Sequence, residues 1–170
     1  MRKLAIATVT LLLAASAVVG IAAPASATPA DSLYELVNDA RAADGLPALA
    51  RNPGVETVAL NWANKMAAGG TLEHNPDYAS QLPSGWSASA ENVAQGQPNA
   101  AAMHADWMAS AGHRANILGD YTDVGIAFVT VKGTTWGVQN FARYGIAPSP
   151  SASKPAPAPT AQPTAPSPRP

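Results

Sequence analysis

The 170-residue chain contains no cysteine and only three histidines, His74, His104 and His113. The absence of cysteine excludes a disulfide-stapled fold, a cysteine-ligated zinc site and a cysteine nucleophile. The fold must therefore be held together by a packed apolar core. Histidine and carboxylate side chains are left as the groups from which a metal site or an acid–base site could be built.

Charged residues are also scarce, at 12% of the chain, and ten basic side chains stand against eleven acidic ones. This balance provides no basic surface for nucleic acid or for an anionic membrane, so we expect neither as a partner. The sequence also lacks a Gly-x-Ser-x-Gly motif and a His-Glu-x-x-His motif. Neither a nucleophile elbow nor a zinc site on a single helix is therefore indicated.

One long apolar run is present, from Leu4 to Ala23, and it lies between two basic residues and the Ala-Ser-Ala sequence that ends at Ala27. This order is typical of a cleaved secretory signal peptide over residues 1–27, although the length alone would also suit a retained membrane anchor. Cleavage near Thr28 would leave eight basic residues and eleven acidic ones. We expect a secreted protein without a transmembrane span after cleavage.

The last part of the chain, residues 147–170, is almost entirely proline, alanine, serine and threonine. It contains no aromatic residue and no aliphatic residue larger than alanine, so it cannot bury enough apolar area to fold. We expect either a plain disordered tail or an extended stalk through the cell envelope. Residues 31–145 remain as one packed domain.

Capping signals predict three helices in this domain. Residues 32–35 have capping-box spacing, and Gly45 ends the helix that follows them. Asn52-Pro53 begins a second helix, which Gly69-Gly70 ends, and a third runs from Asn99 to about Ser110.

The later part of the domain has the alternating pattern of strands. Residues 124–128 and 135–141 alternate on either side of a Lys132-Gly133 turn, which predicts a β-hairpin. Residues 71–97 show weak periodicity and are predicted to be loop-rich, with a short strand near residues 90–94. Helices followed by a hairpin predict an α+β domain with an antiparallel sheet.

Two histidines and one glutamate are the groups best suited to a site. His74 and Glu91 lie in the irregular stretch, and His113 follows the third helix. Such a trio can bind Zn²⁺ or a similar divalent ion, or it can act in acid–base chemistry. A Ser110–His113–Glu91 triad is a further arrangement, but a serine near a helix end more often bonds the backbone.

Other polar residues have more ordinary interpretations. His104 lies in the middle of the third helix beside apolar neighbours, which indicates a packed or partly exposed side chain. Asn92 and Asn116 are interpreted as structural amides that satisfy backbone groups. Arg114 is expected to form a surface ion pair with Asp120 or Asp123, and contact with an acidic ligand is the alternative.

Six stretches in order resemble the bacterial branch of the CAP superfamily, also called the SCP domain. They lie between Leu36 and Ala142 and read LVNDARAADGLPAL, NWANKMAAGGTLEHN, AENVAQG, WMASAGHRANIL, DVGIAF and WGVQNFA. That superfamily includes cysteine-rich secretory proteins, antigen 5 and pathogenesis-related 1 proteins. The resemblance implies a three-layer α-β-α sandwich around a central antiparallel sheet.

The resemblance also implies a cleft lined by a His/Glu cluster. His74 in LEHN and His113 in AGHRANIL match the two cleft histidines, and Glu91 in AENVAQG matches the cleft glutamate. Ser110 occupies the position of a further glutamate that many eukaryotic members carry, so a mechanism with paired carboxylates is placed in doubt. Members of the family can bind a divalent cation, often zinc, through the two histidines.

Three functions follow as hypotheses. The first is a secreted binding module whose cleft holds a divalent cation, zinc before others, on His74 and His113, with Glu91 as third ligand or as an acceptor that orients an imidazole. Its ligand would be a small apolar or peptide-like molecule or a cell-envelope component, and no organic cofactor is expected. The second is a metal-dependent or His/Glu-dependent hydrolase resembling a peptidase, with His74, Glu91 and His113 as catalytic candidates. The third is a non-catalytic, wall-associated structural protein.

Overall fold

The computed structural model describes residues 26–145. The expected signal peptide and the expected tail lie outside these residues, apart from Ser26 and Ala27. In chain order the elements are α1 (Pro29–Ala43), β1 (Ala50–Arg51), α2 (Pro53–Gly69), α3 (Tyr78–Gln81), β2 (Trp86–Gln95), α4 (Ala100–Ala109), α5 (Ala111–Ile117), β3 (Asp123–Val131) and β4 (Thr134–Tyr144). None of the helices in residues 26–145 is long and apolar enough to cross a membrane.

A single sheet in the order β1-β3-β4-β2 forms the middle layer. β4 pairs antiparallel with β3 on one side and with β2 on the other. The two-residue β1 pairs parallel with β3, with Ala50 opposite Asp123, so the sheet is mixed at this margin. The predicted α+β class and antiparallel sheet are confirmed for the three long strands, and β2 is left as an edge strand.

Helices cover both faces of the sheet. On one face, α2 packs against the sheet through Trp62 and Met66, which lie in one cluster with Val93 and Val138. On the other face, side chains of α1, α4 and α5 share a cluster with Ile126 and other residues of the sheet. Residues alternate between these faces along each strand, so neighbouring residues of β2 point into different layers. The three-layer sandwich is thus present.

The contact between α2 and the sheet is closest at Gly125 in β3. A Cβ atom at this position would lie 2.2 Å from the backbone nitrogen of Glu56. Any larger residue would push α2 away from the sheet, because the obstructing atoms are backbone atoms. α2 can therefore bury its apolar stripe only because position 125 has no side chain.

The predicted helix boundaries are confirmed except at the start of α1. Asn52, Gly70 and Asn99 cap the ends at which they were expected, and Gly45 follows the end of α1 with a φ of +73°. The capping box at residues 32–35 was wrong, because the box is formed by Thr28 and Asp31, one turn earlier. Pro29 suits the first helical position, because a backbone N–H there would have no acceptor within the helix.

Residues 71–97 contain more regular structure than the sequence predicts. The ten-residue strand β2 extends well beyond the expected residues 90–94, and α3 forms a single turn ahead of it. The sequence of β2, WSASAENVAQ, has one β-branched residue and many small or polar ones. Its strand conformation is set by pairing with β4 rather than by intrinsic propensity.

The buried guanidinium of Arg41 joins the end of α1 to the end of α5. The Arg41 side chain is 2% exposed, and its guanidinium donates hydrogen bonds to the carbonyls of Pro47, Ile117 and Gly119 at 2.7–2.9 Å. Burial lowers the pKa of Arg41 from its ordinary value, and Asp120 opposes that effect. The carbonyls at the C-terminal end of α5 carry partial negative charge, so they are suitable partners for a cation without a bonded carboxylate.

We predict that Arg41→Ala lowers the free energy of unfolding by about 3 kcal/mol or more, because several charge-assisted hydrogen bonds are lost and buried carbonyls are left unsatisfied. Arg114→Ala is the matched control, since its side chain is half-exposed and its nearest carboxylate oxygen is 3.9 Å away. That variant should lose less than about 1 kcal/mol. Urea unfolding measures both, and equal losses would contradict the structural role of Arg41.

Candidate functional site

The free edge of β2 is where the sequence-predicted site residues meet. Glu91 belongs to β2, His74 to the loop that follows α2, and His113 to α5. His113 thus follows the third predicted helix, as expected, and lies inside a short helix that the sequence did not predict. α2 and α5 lie on opposite faces of the sheet, so the loop after α2 and α5 approach each other around this edge.

Glu91 and His74 are in direct contact. The Nδ1 atom of His74 lies 2.8 Å from Oε1 of Glu91, and the backbone N–H of Asn75 donates to the same oxygen over 2.9 Å. The Glu91 side chain is 2% exposed, whereas that of His74 is 62% exposed. The buried Glu91 carboxylate therefore holds the Nδ1 edge of an imidazole that is otherwise open to solvent.

The second oxygen of Glu91 also faces a donor. When the Asn140 amide is oriented with its nitrogen toward Glu91, it donates to Oε2 over 3.3 Å. The opposite orientation would place an amide oxygen against the carboxylate. Both oxygens of Glu91 are thus engaged by protein donors on the face of the sheet that α2 covers.

Burial is the dominant influence on Glu91. It raises the pKa of the carboxyl, whereas the hydrogen bonds from Asn75 and His74 lower it. When Glu91 is ionised, Oε1 can only accept, so its contact with His74 then requires the imidazole hydrogen on Nδ1. In the neutral ring, Nε2 then carries the free lone pair.

His113 lies within electrostatic reach of this pair. Its side chain is half-buried, and burial lowers its pKa, as does the charge of His74. A lowered pKa favours the neutral imidazole, which is the form that binds metal.

The chemistry of the two imidazoles suits a divalent ion, but the carboxylate is already engaged. Within residues 26–145, no three side chains of the His, Cys, Asp or Glu type are grouped closely enough to hold one metal ion. The imidazole nitrogens of His74 and His113 are of the kind that zinc prefers, whereas the Glu91 carboxylate is engaged with His74.

A groove of about 240 Å³ extends from His113 along the free edge of β2. Its walls come from the loop after α2, from β2 and from α4, and they include Leu72, Val93, Gln97, Asp106 and Trp107. Leu72 is 46% exposed, which is high for a large apolar side chain, and Gln97 donates to Asp106 at the far end over 3.0 Å. The groove thus offers mainly apolar walls beside an imidazole.

Two arrangements that the sequence left open near the cleft are not formed. The Ser110–His113–Glu91 triad is not assembled, because the imidazole bonded to Glu91 is that of His74. Arg114 faces Asp44 rather than the expected aspartates, since α5 directs it toward the end of α1 and Arg143 takes Asp120.

His104 lies outside the cleft, half-buried on α4, where burial lowers its pKa and Asp39 of α1 opposes that effect.

The structural interpretation of Asn92 and Asn116 is confirmed, since both donate to backbone carbonyls. They belong to β2 and α5. Asn75 and Asn140 were missed. For Asn140 a signal was present, because the pair Gln139-Asn140 interrupts an otherwise apolar strand.

The fold and the matched profile relate this chain to known proteins. The profile described as CAP, the cysteine-rich secretory protein family, matches residues 34–141, which is more than half of the chain. A sequence search against curated proteins found no match.

Among solved structures, the chain is similar to an outer surface protein from Borrelia burgdorferi, at 18% identity and a TM-score of 0.64, over 69% of this chain and 93% of that one. It is similar to an extracellular protein containing an SCP domain from Bacillus anthracis, at 25% identity and a TM-score of 0.61, over 68% of this chain and 40% of that one. It therefore spans less than half of the Bacillus protein.

A third similar structure is that of NaASP2 with Zn²⁺, at 13% identity and a TM-score of 0.50, over 74% of this chain and 85% of that one. The similarities at 18% and 13% identity concern the fold alone. The profile match extends across all three layers of the sandwich, from α1 to β4, and it includes His74, Glu91 and His113. The chain therefore belongs to the CAP, or cysteine-rich secretory protein, family.

Proposed function

We propose that this CAP domain is an extracellular binding module that takes a divalent cation, zinc before others, on His74 and His113. The observation that carries the proposal is the 2.8 Å contact between Nδ1 of His74 and the buried carboxylate of Glu91. A metal-binding histidine commonly donates its other ring hydrogen to a carboxylate, which fixes the tautomer and the orientation of the ring. Here the contact leaves Nε2 of an exposed ring available.

The environment of His113 supports its part as the second ligand. Its lowered pKa keeps the imidazole neutral at pH values at which an ordinary histidine begins to take up a proton. Two imidazole nitrogens favour zinc over magnesium or calcium, which prefer oxygen ligands. A bound zinc would supply a Lewis-acidic centre with open positions for water or for a ligand atom.

The groove beside His113 supports a ligand with an apolar part. Leu72, Val93 and Trp107 give it apolar surface, and Asp106 and Gln97 provide polar groups at its far end. A small apolar or peptide-like molecule, or a component of the cell envelope, would place its apolar part here and a polar atom toward the histidines.

The carboxylate geometry favours binding over hydrolysis. A general base must be within reach of a water molecule, but Glu91 is buried and its oxygens face His74, Asn75 and Asn140. Extracellular placement is supported by the descriptions of similar proteins as an outer surface protein and an extracellular protein. The apolar run at the N-terminus of this chain agrees with that placement.

We predict that the purified protein binds zinc with a stoichiometry of one and that a His74→Ala/His113→Ala double variant does not. Loss of both nitrogens should weaken binding by more than the roughly 10- to 100-fold that follows loss of an outer-shell partner. Isothermal titration calorimetry with zinc measures this. His104→Ala is the matched control, because it removes the histidine outside the cleft, and it should bind as tightly as the parent. Failure of the parent to bind zinc, or equal binding by the double variant, would refute the cation site.

The raised pKa of Glu91 generates a pH prediction. Since the folded protein disfavours the ionised carboxyl, wild-type stability falls relative to Glu91→Gln as pH rises from the ordinary carboxyl pKa of 4.5 through the raised one. Each unit by which the pKa is raised contributes about 1.4 kcal/mol. Glutamine keeps an oxygen that can accept from His74 and Asn75, but its NH2 group replaces the oxygen that faces Asn140. That cost does not change with pH, so the pH dependence of the difference isolates the charge.

Urea unfolding of both proteins at pH 4 and pH 7, with a chelator present, measures this difference. We expect the stability of Glu91→Gln minus that of the wild type to be larger at pH 7 than at pH 4. A difference that shrinks at pH 7 would show that the folded protein favours the ionised carboxyl, and a constant difference would show that folding leaves the pKa of Glu91 unchanged. Either result would contradict the raised pKa.

A further inference from the structure

Two asparagines lie between β2 and α5, each close in sequence to a residue of the cleft. Asn92 directly follows Glu91 in β2, and Asn116 lies three residues after His113 in α5. Because successive strand residues point to opposite faces, Asn92 faces α5 while Glu91 faces the layer of α2. The two asparagines therefore lie at the interface between β2, which carries Glu91, and α5, which carries His113.

Their hydrogen bonds form a reciprocal pattern, which we name the amide clasp. Nδ2 of Asn92 donates to the carbonyl oxygen of His113 over 3.1 Å, and Nδ2 of Asn116 donates to the carbonyl oxygen of Glu91 over 3.2 Å. Nδ2 of Asn116 also donates to Oδ1 of Asn92 over 2.8 Å, which joins the two amides. Asn92, the neighbour of Glu91, thus holds the backbone of His113. Asn116, which follows His113 in α5, holds the backbone of Glu91.

The clasp has little freedom to rearrange. Asn92 is fully buried, and a second hydrogen bond from its nitrogen reaches Oε1 of Gln139 over 3.1 Å. A side-chain amide has two N–H donors and one carbonyl, and all three are used in Asn92. Rotation of this amide would leave buried groups without partners, so the fully bonded arrangement is strongly preferred.

We propose that the amide clasp positions the cleft, so that Asn92 and Asn116 set where His113 stands relative to the His74–Glu91 pair. His74 is fixed to β2 by the Glu91 carboxylate, and His113 is fixed to β2 by the clasp. The separation of the two imidazoles is then determined by one strand and two sets of hydrogen bonds. The inference rests on the proposed function, in which those imidazoles share one cation.

The chain offers a matched control for a purely structural role. Asn38 is a half-buried asparagine on α1, as Asn116 is on α5. Its amide donates to the carbonyl oxygen of Leu49 over 3.2 Å and accepts from the backbone N–H of the same residue over 2.8 Å. Asn38→Ala therefore also removes two amide hydrogen bonds, at a position outside the cleft.

The experiment compares zinc affinity, measured by calorimetry at a temperature at which every protein is folded, for the parent, Asn116→Ala and Asn38→Ala. We expect Asn116→Ala to bind zinc about 10- to 100-fold more weakly than the parent. Asn38→Ala should stay within about twofold of it, because its hydrogen bonds do not reach the cleft. If Asn116→Ala does not fold, Asn116→Ser replaces it, since serine removes the same N–H donors.

Equal zinc affinity of Asn116→Ala and Asn38→Ala would overturn the inference. Crystal structures of the metal-free variants provide a readout that does not depend on zinc. We expect the Cα atom of His113 to move relative to that of Glu91 by more than about 0.5 Å in Asn116→Ala but not in Asn38→Ala. If the parent binds no zinc, the proposed function fails, and this displacement alone decides whether the clasp positions His113: its presence supports the clasp and its absence refutes it.

Discussion

The free edge of β2 is the constraint on which the cleft depends. An edge strand presents backbone groups without partners, and proteins cover such edges with side chains or other elements. Here the outward carbonyls of Glu91 and Val93 accept hydrogen bonds from Asn116 and from the indole of Trp107. Those side chains belong to α4 and α5, so the groups that cover the edge also bring His113 to the strand that carries Glu91.

A buried carboxylate at this edge is costly, and its surroundings indicate why it is kept. Burial disfavours the charge of Glu91, and hydrogen bonds from His74 and Asn75 offset part of that effect. A well-packed apolar residue would stabilise such a position more simply. Perturbed carboxyls beside an exposed imidazole are typical of functional sites. The arrangement orients the imidazole of His74 through Nδ1 and leaves most of that side chain exposed to solvent.

Much of the fold could be predicted from local signals, whereas the site could not. Asn52, Gly70 and the Lys132-Gly133 turn are positions where backbone geometry demands particular residues, so the sequence marks them directly. β2 and α5 were missed or shortened, because β2 is rich in small and polar residues and α5 is only seven residues long. The prediction that His74, Glu91 and His113 lie together came from the family resemblance. Local signals could not provide it, because the hydrogen bonds of this region link residues 17 to 25 positions apart.

We infer that Glu91 fixes His74 with its hydrogen on Nδ1 and its Nε2 free. Long-range ¹H–¹⁵N NMR correlation of the metal-free protein above the histidine pKa distinguishes the two neutral tautomers directly. We expect that His74 has Nδ1 protonated and Nε2 unprotonated, and that Glu91→Ala abolishes this preference. A His74 that carries its hydrogen on Nε2 in the wild-type protein would rule out this role of Glu91, because the nitrogen proposed for the cation would then be occupied.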